Sequence, residues 1–122
     1  EFVNILREET LITEASSSGG GGSGDVSYGR TAVATHVTAS TSDKILGVNA
    51  TASLEIRLPA ASGFSAGQYF TVKDEAGNAN SNNITILTTG SDTIDGQTFI
   101  ILESAYAAVN IYSNGSNKFF IY

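Results

Sequence analysis

The chain has 122 residues and a mass of 12.7 kDa, room for one domain of ordinary size. Its 12 acidic and 6 basic residues leave a net charge of −6, a field that opposes a nucleic-acid partner. With no cysteine, no methionine and a single histidine, His36, disulfides, thiolate sites, thiol nucleophiles and multi-histidine metal sites are excluded, and the chain is expected to be processed or cut from something longer.

Ser, Thr, Gly and Asn fill 50 of the 122 positions, yet hydrophobic residues still reach 41%. That combination suits a compact, loop-rich β protein rather than a disordered one. No apolar run approaches the ~20 residues that cross a bilayer, and no signal peptide is present, so membrane insertion is not expected.

Residues 1–15, EFVNILREETLITEA, read as a short stem. Phe2, Ile5, Leu6 and Ile12 can share a helical face, and a short strand at Thr10–Thr13 is the alternative. Either form needs a partner for its apolar residues. Residues 16–29 are a Gly/Ser-rich linker around SSSGGGGSG, either a flexible hinge or backbone packed at a crowded symmetry axis.

Residues 30–122 read as a β head. RTAVATHVTAS (30–40) alternates, and KILGVN (44–49) follows. SLEIRLP (53–59) places Leu54, Ile56 and Leu58 inward, and Pro59 ends the strand. QYFTVKD (68–74) turns Phe70 and Val72 in and Tyr69, Thr71 and Lys73 out. EAGNANSN is turn chemistry, NITILTT (83–89) buries Ile84 and Ile86, and GSDTIDGQ (90–97) is a second turn-rich connection. TFIILES (98–104), AAVNIYS (107–113) and NKFFIY (117–122) complete the set, the last two joined at Asn114-Gly115. Eight short strands without helical periodicity predict an all-β fold, an antiparallel β-sandwich or jelly-roll-like head. The last strands are apolar on both faces. That surplus predicts a subunit interface through Phe99, Ile100, Phe119, Phe120 and Tyr122.

Residues 43–122 carry, in order, a strand ending in LPAA, a glycine-led strand ending in TVKDEAGNA, NNITI leading to GSDTIDG, and a closing SNGSNKFFIY. This succession resembles the C-terminal head (knob) domain of bacteriophage tail fibre, tail spike and virion spike proteins. The resemblance implies a homotrimeric β-rich knob at the distal end of an extracellular virion appendage, attaching to a host surface glycan or protein. Many such domains carry a tryptophan in the last strand, where this chain has Lys118-Phe119.

The chemistry available points away from catalysis. His36 lies mid-strand among threonines and reads as a half-buried or interface residue. The pairs Asp74/Glu75 and Asp92/Asp95 sit in glycine-containing turns, where carboxylates bond nearby backbone rather than cleave glycans. No loop supplies a calcium ligand set in one chain, so no metal and no cofactor are expected. Three sequons, at Asn49, Asn83 and Asn114, are matches that chance explains. If each strand spans the head and each connection is a hairpin, loops 41–43, 59–67, 89–97 and 113–117 share the distal tip, and loops 50–52, 74–82 and 104–106 face the shaft. The tip then presents Asp43, Asp92, Asp95, Gln97, Asn114, Ser116 and Asn117 to a receptor. The expected function is non-catalytic trimerisation and host attachment. A purely structural fibre cap and a carbohydrate-binding module are the alternatives.

Overall fold

The computed structural model describes residues 27–122. The stem at 1–15 and nearly all of the 16–29 linker lie outside the described residues. The described chain is all-β. Its strands are β1 (Arg30–Val33), β2 (Val37–Thr38), β3 (Ile45–Val48), β4 (Leu54–Arg57), β5 (Tyr69–Asp74), β6 (Ile84–Leu87), β7 (Thr93–Ile94), β8 (Phe99–Leu102), β9 (Ala108–Ser113) and β10 (Lys118–Ile121), with a 3-10 turn at Ala61–Gly63. The stretch at 30–40, expected as one strand, is two. A short strand, β7, also forms in the connection at 90–97.

Successive strands up to β6 alternate between two sheets. One sheet has the order β1-β3-β5-β9-β10-β7 and the other β2-β4-β6-β8. The antiparallel expectation is therefore corrected: five of the eight strand pairings are parallel. The physical reason is the route of each connection. Parallel neighbours need a crossover of a dozen or more residues. Here the crossover from β1 to β3 passes through β2 in the opposite sheet, and the one from β3 to β5 passes through β4. The chain winds as a coil from β1 to β6, with Ala32, Gly47 and Lys73 in register on one side and Val37, Ile56 and Ile86 on the other. Antiparallel β8 and β9 then end the winding.

One core lies between the sheets. Leu54, Ile56 and Leu58, Phe70 and Val72, and Ile84 and Ile86 are all buried in it, as the alternation predicts. Each such side chain contributes roughly 1.5–3 kcal/mol on burial. At one end Phe64, from the connection after the 3-10 turn, stacks on Phe70 at 5.6 Å, and Phe119 meets both rings edge-on at 5.7 and 6.2 Å. On the outer surface Glu75 reaches over Gly47 to the guanidinium of Arg30, with 2.9 and 3.1 Å contacts to Arg30 Nε. This pair bridges three adjacent strands of the larger sheet at their exposed face.

Candidate functional site

Hydrogen bonds sort the connections into two ends. At the first, Gln68 Nε2 donates to the Thr41 carbonyl (2.7 Å), the Ala61 amide donates to Asp92 Oδ2 (2.8 Å), and Ser113 Oγ donates to the Ala61 carbonyl (2.9 Å). Gly115, at φ 80°, brings its backbone so close to Ala66 that an added Cβ would lie 2.8 Å from the Ala66 nitrogen. Loops 41–43, 59–67, 88–92 and 113–117 therefore gather together. At the opposite end Asn78 Nδ2 donates to the Ala50 carbonyl (3.0 Å), and the amides of Gly77, Ala79 and Tyr106 all donate to the Asp74 carboxylate.

The entry of the chain corrects the tip assignment. Arg30 is in register with Ile45, and Thr31 Oγ1 donates to Asp43 Oδ1 at 2.8 Å. β1 thus starts at the end holding loop 41–43 and runs away from it. The segment at 30–40 does not cross the head once; it goes out through β1 and returns through β2. The end carrying Asp43, Asn114, Ser116 and Asn117 is the end at which the β head begins.

Several of the expected contact residues also have other work. Asp92 is buried and holds Ala61. Asp95, at φ 49°, accepts from the Ile121 amide (3.2 Å) while its own amide donates to the Phe119 carbonyl (3.0 Å), so Asp95 and neighbouring Gln97 lie along the side of β10, apart from the loop end. Asn114 Oδ1 accepts the amides of Ser116, Asn117 and Lys118 at 2.9–3.0 Å and closes its turn. Asp43 Oδ2 does the same for the Ser40 amide. Only Ser116 and Asn117 at that end, and Gln97 beside β10, are exposed side chains with few internal ties.

The five expected interface residues do not form one surface. Phe119 is fully buried in the chain's own core and is withdrawn from any interface. Phe99 and Ile100 lie on β8, the edge of the smaller sheet, with Phe99 and Ile101 exposed. Phe120 and Tyr122 belong to the outer face of the larger sheet. There the register brings Tyr69, Tyr112 and Phe120 into one row across β5, β9 and β10. Tyr112 lies 5.4 Å from Phe120 and 5.6 Å from Tyr122, and Tyr122 lies edge-on to Tyr69 at 6.3 Å. Tyr69 is 49% and Tyr122 41% exposed. Lys44 Nζ sits 5.7 Å from the Tyr69 ring centre. Tyr69 reads as outward from the sequence, but assembling the row needs the pairing of β5 with β9, which alternation does not carry.

Another feature escapes the sequence reading altogether. Tyr106 is 55% exposed and adopts φ 63°, a left-handed conformation that is rare for a bulky residue and is sustained only by surrounding contacts. Asp74 holds its amide, Lys73 Nζ donates to its carbonyl, and the ring lies over Gly77, where an added Cβ would fall 2.6 Å from ring carbons. Burial alone pushes the Asp74 carboxyl up, but the backbone donors Ala79, Tyr106, Asn78 and Gly77 outweigh it and hold the group below its ordinary value. Glu75 is likewise held below its ordinary value, first by its hydrogen bond to Arg30. The adjacent acids Asp74 and Glu75 therefore serve separate structural contacts.

His36 is exposed rather than half-buried, and its Nδ1 accepts the Glu55 amide at 3.0 Å. Among the described residues, no three His, Asp or Glu side chains converge as a metal site. No family model matches the chain, and no curated protein matches it.

Proposed function

We propose that this chain is the non-catalytic head of a trimeric viral appendage, displayed on the virion surface, where it attaches the particle to a host cell. The observation that carries the proposal is a pair of separate exposed hydrophobic patches on a rigid two-sheet scaffold, which we read as a sandwich-like knob. Exposed patches of this kind on well-packed strands mark binding surfaces. One is the β8 edge with Phe99 and Ile101; the other is the tyrosine-rich face with Tyr69 and Tyr122.

Two patches of different chemistry suit two partners. The β8 patch is aliphatic and phenylalanine-based and borders a strand edge that is unpaired among the described residues, the kind of surface that copies of one chain bury against each other. The tyrosine face is amphipathic and suits an external ligand. A purely structural cap needs only the first patch, so the exposed tyrosines favour attachment.

Light scattering on the purified chain tests the assembly. The expected mass is that of a trimer, and Phe99→Asp together with Ile101→Asp is expected to lower it to the monomer while leaving the far-ultraviolet circular dichroism of the β head unchanged. A monomeric wild-type chain would reject the appendage reading. A trimer indifferent to both substitutions would move the interface elsewhere.

A further inference from the structure

We propose that the outer aromatic face of the larger sheet binds a saccharide bearing a carboxylate, such as a uronic or sialic acid unit. The proposal rests on the attachment reading above and gives it a site and a ligand class. The face consists of Tyr69, Tyr112, Phe120 and Tyr122, flanked by Lys44 and Lys118.

Ring geometry is the first argument. Neighbouring rings are inclined by 36° (Tyr112 and Phe120), 63° (Tyr112 and Tyr122) and 84° (Tyr69 and Tyr122). They form a corrugated floor with upright walls, not the parallel platform on which flat bases stack. A pyranose ring is thick, with C–H groups on its faces and hydroxyls around its rim. It can seat its apolar face against one ring and its hydroxyls against the phenols of the next. Tyr69 and Tyr122 stand close enough that burial and then the Tyr69 phenol raise the Tyr122 phenol above its ordinary value. Tyr122 therefore remains protonated near neutrality and able to donate.

Charge is the second argument. The protein is net −6, yet this face carries cations at two sides. Lys44 lies at the Tyr69 ring. Lys118 precedes inward-facing Phe119 and so shares the outer side of β10 with Phe120. A carboxylate on the sugar is complementary to both. A second copy of this chain is a poorer occupant, because symmetric contact would set lysines against lysines, and charges are depleted from the centres of such interfaces. An oligonucleotide is a poorer occupant as well, because rings inclined by 36–84° give its flat bases no parallel platform to stack on.

The test is binding of the purified full chain to immobilised neutral and uronic-acid-containing oligosaccharides of matched length, with light scattering on every variant. Wild type is expected to prefer the carboxylate-bearing set. Tyr69→Ala and Tyr122→Ala should each weaken binding about tenfold, and Lys44→Gln should erase the preference while keeping residual binding to the neutral set. Mass and melting temperature should be unchanged, since Tyr69 and Tyr122 are about half exposed. Four results overturn the proposal: no retention on any saccharide, equal retention of both sets by wild type, binding undiminished by the tyrosine substitutions, or loss of the trimer on substituting Tyr69 or Tyr122, which would make this face the contact between copies. An intact trimer that binds no saccharide sinks this inference and leaves the appendage reading standing. A monomer that binds through Tyr69 and Tyr122 does the reverse.

Discussion

Asp74 shows how one side chain secures an entire end of the molecule. Its Oδ1 accepts the Gly77 amide and its Oδ2 accepts the amides of Ala79 and Tyr106, so the loop after β5 and the loop before β9 meet on one buried carboxylate. Asparagine has only one acceptor oxygen and would turn its own N–H groups toward donors. Asp74→Asn is expected to lower the unfolding free energy by roughly 2–3 kcal/mol, the usual penalty for leaving buried donors unpaired, measurable by urea titration. The pH dependence follows from the same bonds. The folded carboxyl is held below its ordinary value, so its contribution is complete above the unfolded value of about 3.9 and is lost as pH falls through the folded value. Wild type should weaken below about pH 4, whereas Asp74→Asn should show a flatter profile there. Equal acid sensitivity in both proteins would assign the loss to other carboxylates. The local role of Asp74 was legible, because an aspartate in DEAGNA is an obvious partner for turn amides. Its bond to Tyr106 was not, because it joins positions 32 residues apart.

At the scale of the strand, alternation reports which way a side chain faces and nothing about its neighbour. Leu54, Ile56 and Leu58 were readable as core, and they are buried. The parallel pairing of β4 with β2 and β6 was not, because the same pattern serves either direction. The break at Ala34–His36 was equally silent: TAVATHVT contains no glycine or proline to mark the crossing between sheets. The resulting edge makes a sharp prediction. The Asn49 amide donates to the Val33 carbonyl, so in a parallel ladder Thr31 and Val33 turn their backbone groups toward β3 while Ala32 turns its own to the open side. Thr31→Pro removes a ladder bond and should cost about 3 kcal/mol. Ala32→Pro should cost distinctly less, about 1 kcal/mol, since edge strands tolerate proline. Thermal melts of the two variants compare them directly. Equal losses would mean that the open side of β1 is paired in the assembled protein.

For the molecule as a whole, the grouping of loops into two ends survives the change from hairpins to a coil except at 93–97, which folds along β10, because the chain reverses direction at each passage between sheets in either design. Which end the chain enters does not survive, since that depended on the unbroken strand at 30–40. The candidate surface suffered likewise. Individual outward tyrosines could be picked out, but the face they build depends on β9 lying beside β5 and β10. The coil also governs kinetics. Arg30 pairs with Ile45 and Ile56 with Ile86, contacts that must close long loops before they stabilise anything. Refolding from denaturant is expected in about the millisecond-to-second range typical of non-local β topologies. A stopped-flow trace complete within the dead time would contradict that expectation.

A wound thread has only one free start. Beyond β5 and β6 the antiparallel strands β9 and β8 lock the winding, while on the other side β1 and β2 leave both sheets open in the same direction among the described residues. Lengthening such a body is a one-ended operation: a turn inserted ahead of β1 meets two ready templates and disturbs neither the Asp74 fastening nor the tyrosine face. Added turns would therefore change the length of the body by whole steps while leaving the tyrosine face as it is.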